Sequence, residues 1–96
     1  MSYTLKKSND KKHKYIVIMP DNKKIKFGAY GYSDFTKHKD IERKKRYEAR
    51  HRAREDWTKK NSAGFWSKWL LWNKPTLTES ISHTQKKFKI KIKRDF

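Results

Sequence analysis

Tyr15-Ile16-Val17-Ile18-Met19, then Pro20-Asp21-Asn22-Lys23, then Lys24-Ile25-Lys26-Phe27 is the stretch that decides the fold. The first five residues are an apolar, β-rich run bounded by charge, the next four supply turn chemistry, and the last four alternate. Together they predict a β-hairpin. Apolar groups on both faces place the first strand centrally, whereas alternating lysines suit the second to an edge facing water. Near the other end, Phe88, Ile90 and Ile92 alternate with Lys87, Lys89, Lys91 and Lys93, a period-two pattern with one apolar face. That segment is expected to flank the first hairpin strand. A small antiparallel sheet of about three strands follows, with residues 3–6 as a candidate fourth.

Helices fill the middle. Asp40 is suited to cap a helix running to about Glu55, with Glu42 in its favourable first turn. Ser62 or Ala63 opens a second, shorter helix that Asn73-Lys74-Pro75 ends. Thr76-Leu77-Thr78-Glu79 matches a capping box, so a third helix is expected to run to about Gln85. The reading is a single α+β domain over residues 1–96, a small antiparallel sheet (N-terminal hairpin plus C-terminal strand) packed by three helices on one face.

The chain carries 27 Lys+Arg against 10 Asp+Glu, a formal net charge of +17. Disordered basic segments are poor in aromatics, but here 15% of residues are aromatic and three tryptophans fall within Phe65-Trp66-Ser67-Lys68-Trp69-Leu70-Leu71-Trp72. The chain therefore folds, and its self-repulsion calls for an anionic companion. Cysteine is absent, which excludes disulfides, thiolate nucleophiles and zinc-finger ligand sets. No stretch approaches the roughly 20 apolar residues of a membrane span, and Met1 to Asp10 lacks the apolar core of a signal peptide. A soluble protein, intracellular or enclosed in a particle, with no membrane partner is the expectation.

At 100° per residue, Arg43, Tyr47, Arg50 and Arg54 form one stripe of the basic helix, with Arg46 beside it. Lys44, Glu48 and Arg52 form an i, i+4 ladder expected to face water. The arginine stripe then borders the buried side. Its guanidinium groups either stack on Trp57, Tyr47 or the tryptophan block and pair with Asp34, Asp40 or Asp56, or meet phosphate oxygens. Arg43, Lys44, Arg46, Arg50 and Arg54, with Lys37 and Lys39 nearby, are the candidate nucleic-acid contacts. Backbone contact is favoured over base readout, because no zinc-finger, homeodomain or RNA-recognition signature is visible. Arg43-Lys44-Lys45-Arg46 also has the composition of a nuclear-localisation cluster.

Phe65, Trp69 and Trp72 share one helical face and Trp66 and Leu70 widen it, too broad an arc for a helix with one buried side. These four aromatics are expected to be core, with anchoring of another protein as the alternative. The glycine-containing segment Gly28 to Phe35 reads as a turn rather than a phosphate cradle. His13, His38, His51 and His83 lack metal-ligand spacing and no carboxylate pair stands out, so no enzyme, metal or cofactor is expected. Were a nuclease hidden here, His38, Asp40 and Glu42 would be its candidate residues.

From Tyr30 through Ile81, the run Gly31-Tyr32-Ser33-Asp34-Phe35-Thr36, His38-Lys39-Asp40, Arg46-Tyr47, Arg50-His51, Ala63-Gly64-Phe65-Trp66-Ser67 and Trp69-Leu70-Leu71-Trp72-Asn73-Lys74-Pro75-Thr76 resembles a family of short basic proteins of large nucleocytoplasmic DNA viruses. The resemblance implies a viral setting, in the virion or the nucleus or cytoplasmic factory of an infected cell, and supplies no activity. Two functions are carried forward: a non-enzymatic protein binding DNA or RNA through phosphates, in packaging or condensation, and a minor structural protein cementing acidic virion subunits.

Overall fold

The hairpin forms where the sequence places it: β2 (His13–Ile18) and β3 (Lys24–Ala29) pair antiparallel, with Val17 opposite Ile25 and Tyr15 opposite Phe27. Its turn closes through the Met19 amide, which donates to the Lys23 carbonyl at 2.8 Å. Asn22 takes the left-handed conformation the turn needs, at φ 70°, which asparagine tolerates better than most side chains. The structure is a computed structural model describing residues 2–96.

The candidate fourth strand is the centre of the sheet. β1 (Ser2–Lys7) pairs antiparallel with β2 and parallel with β4 (Lys91–Arg94), in the order β3-β2-β1-β4. The α+β class holds, while the sheet is mixed and the C-terminal strand flanks β1 rather than β2. The reason lies on the buried face, where Tyr3 and Leu5 of β1 carry the apolar surface from Val17 across to Ile92. The other face follows the opposite parity: Lys6 beside Ile16 beside Lys26, and Lys93 beside Thr4 beside Ile18 beside Lys24. Those lysines are exposed and their stems shelter the half-buried isoleucines.

The last strand also starts later than its alternation suggests. Phe88 ends helix α4 (Leu77–Phe88), Lys89 closes it in the left-handed region at φ 55°, and only Lys91–Arg94 extends. Two elements abut with an apolar residue at each matching step, so period two spans a boundary it cannot see. The Thr76 cap forms, with the Glu79 amide donating to Thr76 Oγ1 at 3.1 Å, but the Glu79 carboxylate accepts from the Thr76 hydroxyl at 3.1 Å instead of closing the expected box on the Thr76 amide.

Before α4 come α1 (Phe35–His38), a single turn not anticipated, α2 (Ile41–Arg52), and α3 (Ala63–Trp66), which continues as a π-helical segment over Ser67–Leu71. The π widening explains why the tryptophan block does not follow 3.6-residue spacing. The Trp72 amide reaches back five residues to the Ser67 carbonyl at 3.1 Å, so Leu70 and Leu71 both turn inward beneath Phe65 and Trp66. Phe65, Trp66 and Leu70 are fully buried, whereas Trp69 and Trp72 are half-buried on the core's flank. Burying an aromatic of this size contributes roughly 4–6 kcal/mol as an upper bound.

The indole N–H groups find work at the same time. Trp66 donates to the Lys60 carbonyl at 2.8 Å and Trp69 to the Trp57 carbonyl at 2.7 Å. The block therefore pegs down the segment between α2 and α3 as well as filling the core. Gly28, at φ +78°, brings β3 against it: a Cβ there would stand 2.8 Å from Leu71 Cδ1.

Candidate functional site

Helix α2 is capped as the sequence indicates. The Asp40 carboxylate accepts from the amides of Glu42 at 3.0 Å and Arg43 at 3.4 Å. Its orientation differs from expectation. Tyr47 is its only buried residue, and Lys44 and Glu48, read as a solvated ladder, are half-buried on the inner side. The cause is a charge inside the tryptophan block: Lys68, 5% exposed, lies 4.6 Å from the Trp69 ring centroid and 5.2 Å from that of Trp57. A cation so placed requires a counter-ion, and Glu48 supplies it at 3.0 Å. Tyr47 adds a flat stack on Trp72, with centroids 4.4 Å apart and planes within 3°. Lys44 lies over Phe35 at 5.2 Å, where burial first and the nearby Lys68 charge second lower its pKa.

With Tyr47, Glu48 and Lys44 turned inward, the arginines turn outward. Arg43, Arg46, Arg50 and Arg54 are all exposed, and none of them forms an ion pair among the described residues. They do not stack on the tryptophans or pair with Asp34, Asp40 or Asp56. Those carboxylates have other partners: Asp34 is bonded to Lys14 Nζ at 2.5 Å, and Asp56 to the Thr58 amide at 3.0 Å. Among the described residues every acidic side chain except Glu42 has a lysine, histidine, hydroxyl or amide partner elsewhere. The fold pairs the buried Lys14 and Lys68 with carboxylates and leaves the arginines of α2 without one.

Three of those arginines line one cleft. Arg43, Arg46 and Arg50 form a wall, with Tyr47 and His51 below them, in a recess of about 650 Å³. The opposite side is built from small residues, Gly28 and Ala29 at the end of β3 and Ala63 and Gly64 at the start of α3. Gly64 lets the Glu55 carboxylate lie close over the start of α3, where a Cβ would stand 2.7 Å from its carboxyl carbon and displace it. Glu55 in turn accepts from Trp57 Nε1 at 3.3 Å and lies 3.1 Å from His51 Nδ1. His51 completes a stack of three rings, 4.2 Å from Tyr47, which itself lies on Trp72. Burial, then the Glu55 charge, holds the Tyr47 hydroxyl well above the usual phenol range. Tyr32, 72% exposed, stands at the rim.

The other candidates lie elsewhere. Lys37, Lys39 and Arg54 are exposed away from the cleft, and Arg54 lies beyond the end of α2 because the helix stops at Arg52. Lys44 is committed to Phe35. Trp66, Trp69, Trp72 and Phe65 form the scaffold behind the cleft, and only Trp72 borders it. The sequence does not mark Lys14, Tyr32, His51 and Glu55 as binding residues; the signal for their meeting is the glycine at 28 and at 64, where backbones approach closely. His38, Asp40 and Glu42 meet at the α1–α2 junction in local roles. His38 Nδ1 accepts from the Asp40 amide at 2.9 Å, and its Nε2 is buried without a hydrogen-bond partner.

A protein-family model matches residues 3–51, from β1 almost to the end of α2, and its description is a family of unknown function, DUF5754. The chain belongs to this family. The match contains the sheet hairpin, the Tyr30–Asp34 turn and the arginine wall, and ends before the tryptophan block that packs behind them. No curated protein and no solved structure matches the chain. No helix of the described residues is long and apolar enough to cross a membrane.

Proposed function

We propose that this DUF5754 member is a non-enzymatic protein of a viral particle or infected cell that binds nucleic acid through its phosphate backbone, in packaging or condensing a genome. The observation that carries this reading is the division of labour among cations. Lys6, Lys14, Lys26 and Lys68 are paired with carboxylates, whereas Arg43, Arg46 and Arg50 share a concave surface and no carboxylate pairs with them. Arginine's planar fork suits phosphate oxygens, and an excess of +17 adds a long-range attraction. The uncovered sheet face, with Lys24, Lys91 and Lys93 exposed, extends the positive surface beyond the cleft. The alternative, cementing acidic virion proteins, relies on the Trp66–Trp72 helix together with its cationic faces; the tryptophans have partners inside the domain, which leaves that reading the cationic surface alone.

The test is gel retardation of DNA at two salt concentrations. If about 6–10 phosphates are neutralised, affinity falls roughly 10³- to 10⁵-fold between 50 and 200 mM salt, and equally for unrelated sequences. Absence of retardation at low salt, or a strong preference for one base pattern, contradicts the reading.

A further inference from the structure

We infer that the arginine cleft takes a single strand of nucleic acid, with Tyr32 as the platform on which a base stacks. The inference rests on the phosphate-backbone reading and specifies what that surface binds. The cleft, at about 650 Å³, is a recess and not a convex face. It lies within the roughly 300–1,000 Å³ range of sites that enclose a ligand the size of one or two nucleotides, and a duplex is too wide to enter it. Along one wall Arg43, Arg46 and Arg50 climb about 10 Å of helix axis, a span suited to a few consecutive phosphates of one strand.

The opposite wall leaves room for a flat ring, because Gly28, Ala29, Ala63 and Gly64 project little or nothing into the recess. Two carboxylates share the space, but each is already answered. Asp34 is held by Lys14 Nζ at 2.5 Å and by the Thr36 amide at 2.9 Å and hydroxyl, and Glu55 by His51 and Trp57. Lys14 neutralises Asp34, whereas Glu55 is hydrogen-bonded but keeps its charge, and the three arginines of the wall outnumber it.

Tyr32 is the feature that separates a single strand from other polyanions. This chain gives nearly every aromatic a partner inside the fold, yet Tyr32 is 72% exposed and Tyr30, on the same turn, 62%. Gly31 between them takes φ +87° with open space around it, which turns the two side chains out to solvent. An arginine-lined groove with an exposed aromatic at its edge is the arrangement that binds unpaired bases, since the ring stacks on any base while cations follow the backbone.

The experiment is fluorescence anisotropy with labelled oligothymidylate, which cannot pair with itself, against a duplex carrying the same number of phosphates, at one fixed salt concentration. The strand is expected to bind at least about tenfold more tightly than the duplex. Tyr32→Ala should weaken strand binding about five- to 150-fold, the range that loss of one base stack implies, with duplex affinity changed less than about twofold. Tyr32→Phe should bind the strand like the parent, because the ring face and not the hydroxyl is used. Tight binding of both polymers with no effect of Tyr32→Ala overturns the inference and leaves the backbone reading intact, whereas binding of neither overturns both. Because Tyr32 is largely exposed, an unchanged circular dichroism spectrum is expected for each variant and assigns any loss to the site.

Discussion

Helix α2 buries one residue, Tyr47, whereas the shorter stretch formed by α3 and the π segment buries Phe65, Trp66, Lys68, Leu70 and Leu71. Both stretches carry cations, and the fold treats them oppositely. Lys68 is enclosed by two indoles and a carboxylate; Arg43, Arg46 and Arg50 have no carboxylate or ring partner among the described residues, and Arg46 Nε donates only to the Glu42 carbonyl of its own helix at 3.4 Å. The difference teaches that the cation of the tryptophan block joins two elements of the fold, whereas the arginines of α2 have no ion-pair partner among the described residues. It also means that α2 is fixed to the domain at few points, chiefly Tyr47 on Trp72, Glu48 on Lys68 and Lys44 on Phe35.

The comparison breaks most visibly through the core. Trp66→Ala should cost about 3–5 kcal/mol, the usual range for truncating a buried tryptophan, and release the Lys60 carbonyl from its indole donor. Chemical denaturation measures this; a loss below about 1 kcal/mol would show that the block is not the keystone. Lys68→Met comes next. It keeps the stem between the rings and strands Glu48, which is partly exposed, so about 2 kcal/mol is expected instead of the 3–5 typical of a fully buried pair. Amide exchange should accelerate in α2 before it does in the sheet, and equal acceleration in both would contradict a locally moored helix.

Gly28→Ala should cost about 1–2 kcal/mol, because the positive φ strains any Cβ and Leu71 occupies its space. A neutral result in thermal melts would mean that β3 shifts freely against the π segment. The smallest effect concerns pH. His83 accepts from Asn73 Nδ2 at 2.8 Å, and burial first, then Lys74, Lys87, Lys68 and Lys44, lowers its pKa. The folded state thus binds this proton less readily than the unfolded chain. Its contribution is complete above about pH 6.5 and is lost as pH falls through the lowered folded value. His83→Gln should flatten the melting temperature between pH 7 and 5, and an unchanged slope would remove His83 from the account.

Much of this was legible in the residues. Local signals proved sufficient wherever the determinant was local: the Pro20–Lys23 turn, the Asp40 cap and the Thr76 cap all form. What escaped depended on partners distant in sequence. The parallel β1–β4 pairing joins the two ends of the chain, and no periodicity in either strand encodes its neighbour. The facing of α2 was misread because a helical wheel counts Lys44 and Glu48 as solvated, and the cation that draws Glu48 inward lies in the tryptophan block. Charge and helical spacing mark the arginines as candidate contacts. Their grouping into a cleft with Tyr32, Gly28 and Gly64 required the turn after β3 and the start of α3 to be brought together.

The most direct test of the claim that these arginines are held for an outside anion is the triple variant Arg43→Gln/Arg46→Gln/Arg50→Gln. Its denaturation midpoint and its affinity for nucleic acid are measured side by side at low salt. Stability should remain within about 0.5 kcal/mol, as for exposed side chains without partners, while affinity falls at least tenfold and the salt dependence shallows by two to three contacts' worth of slope. Unchanged affinity with the fold intact would contradict it.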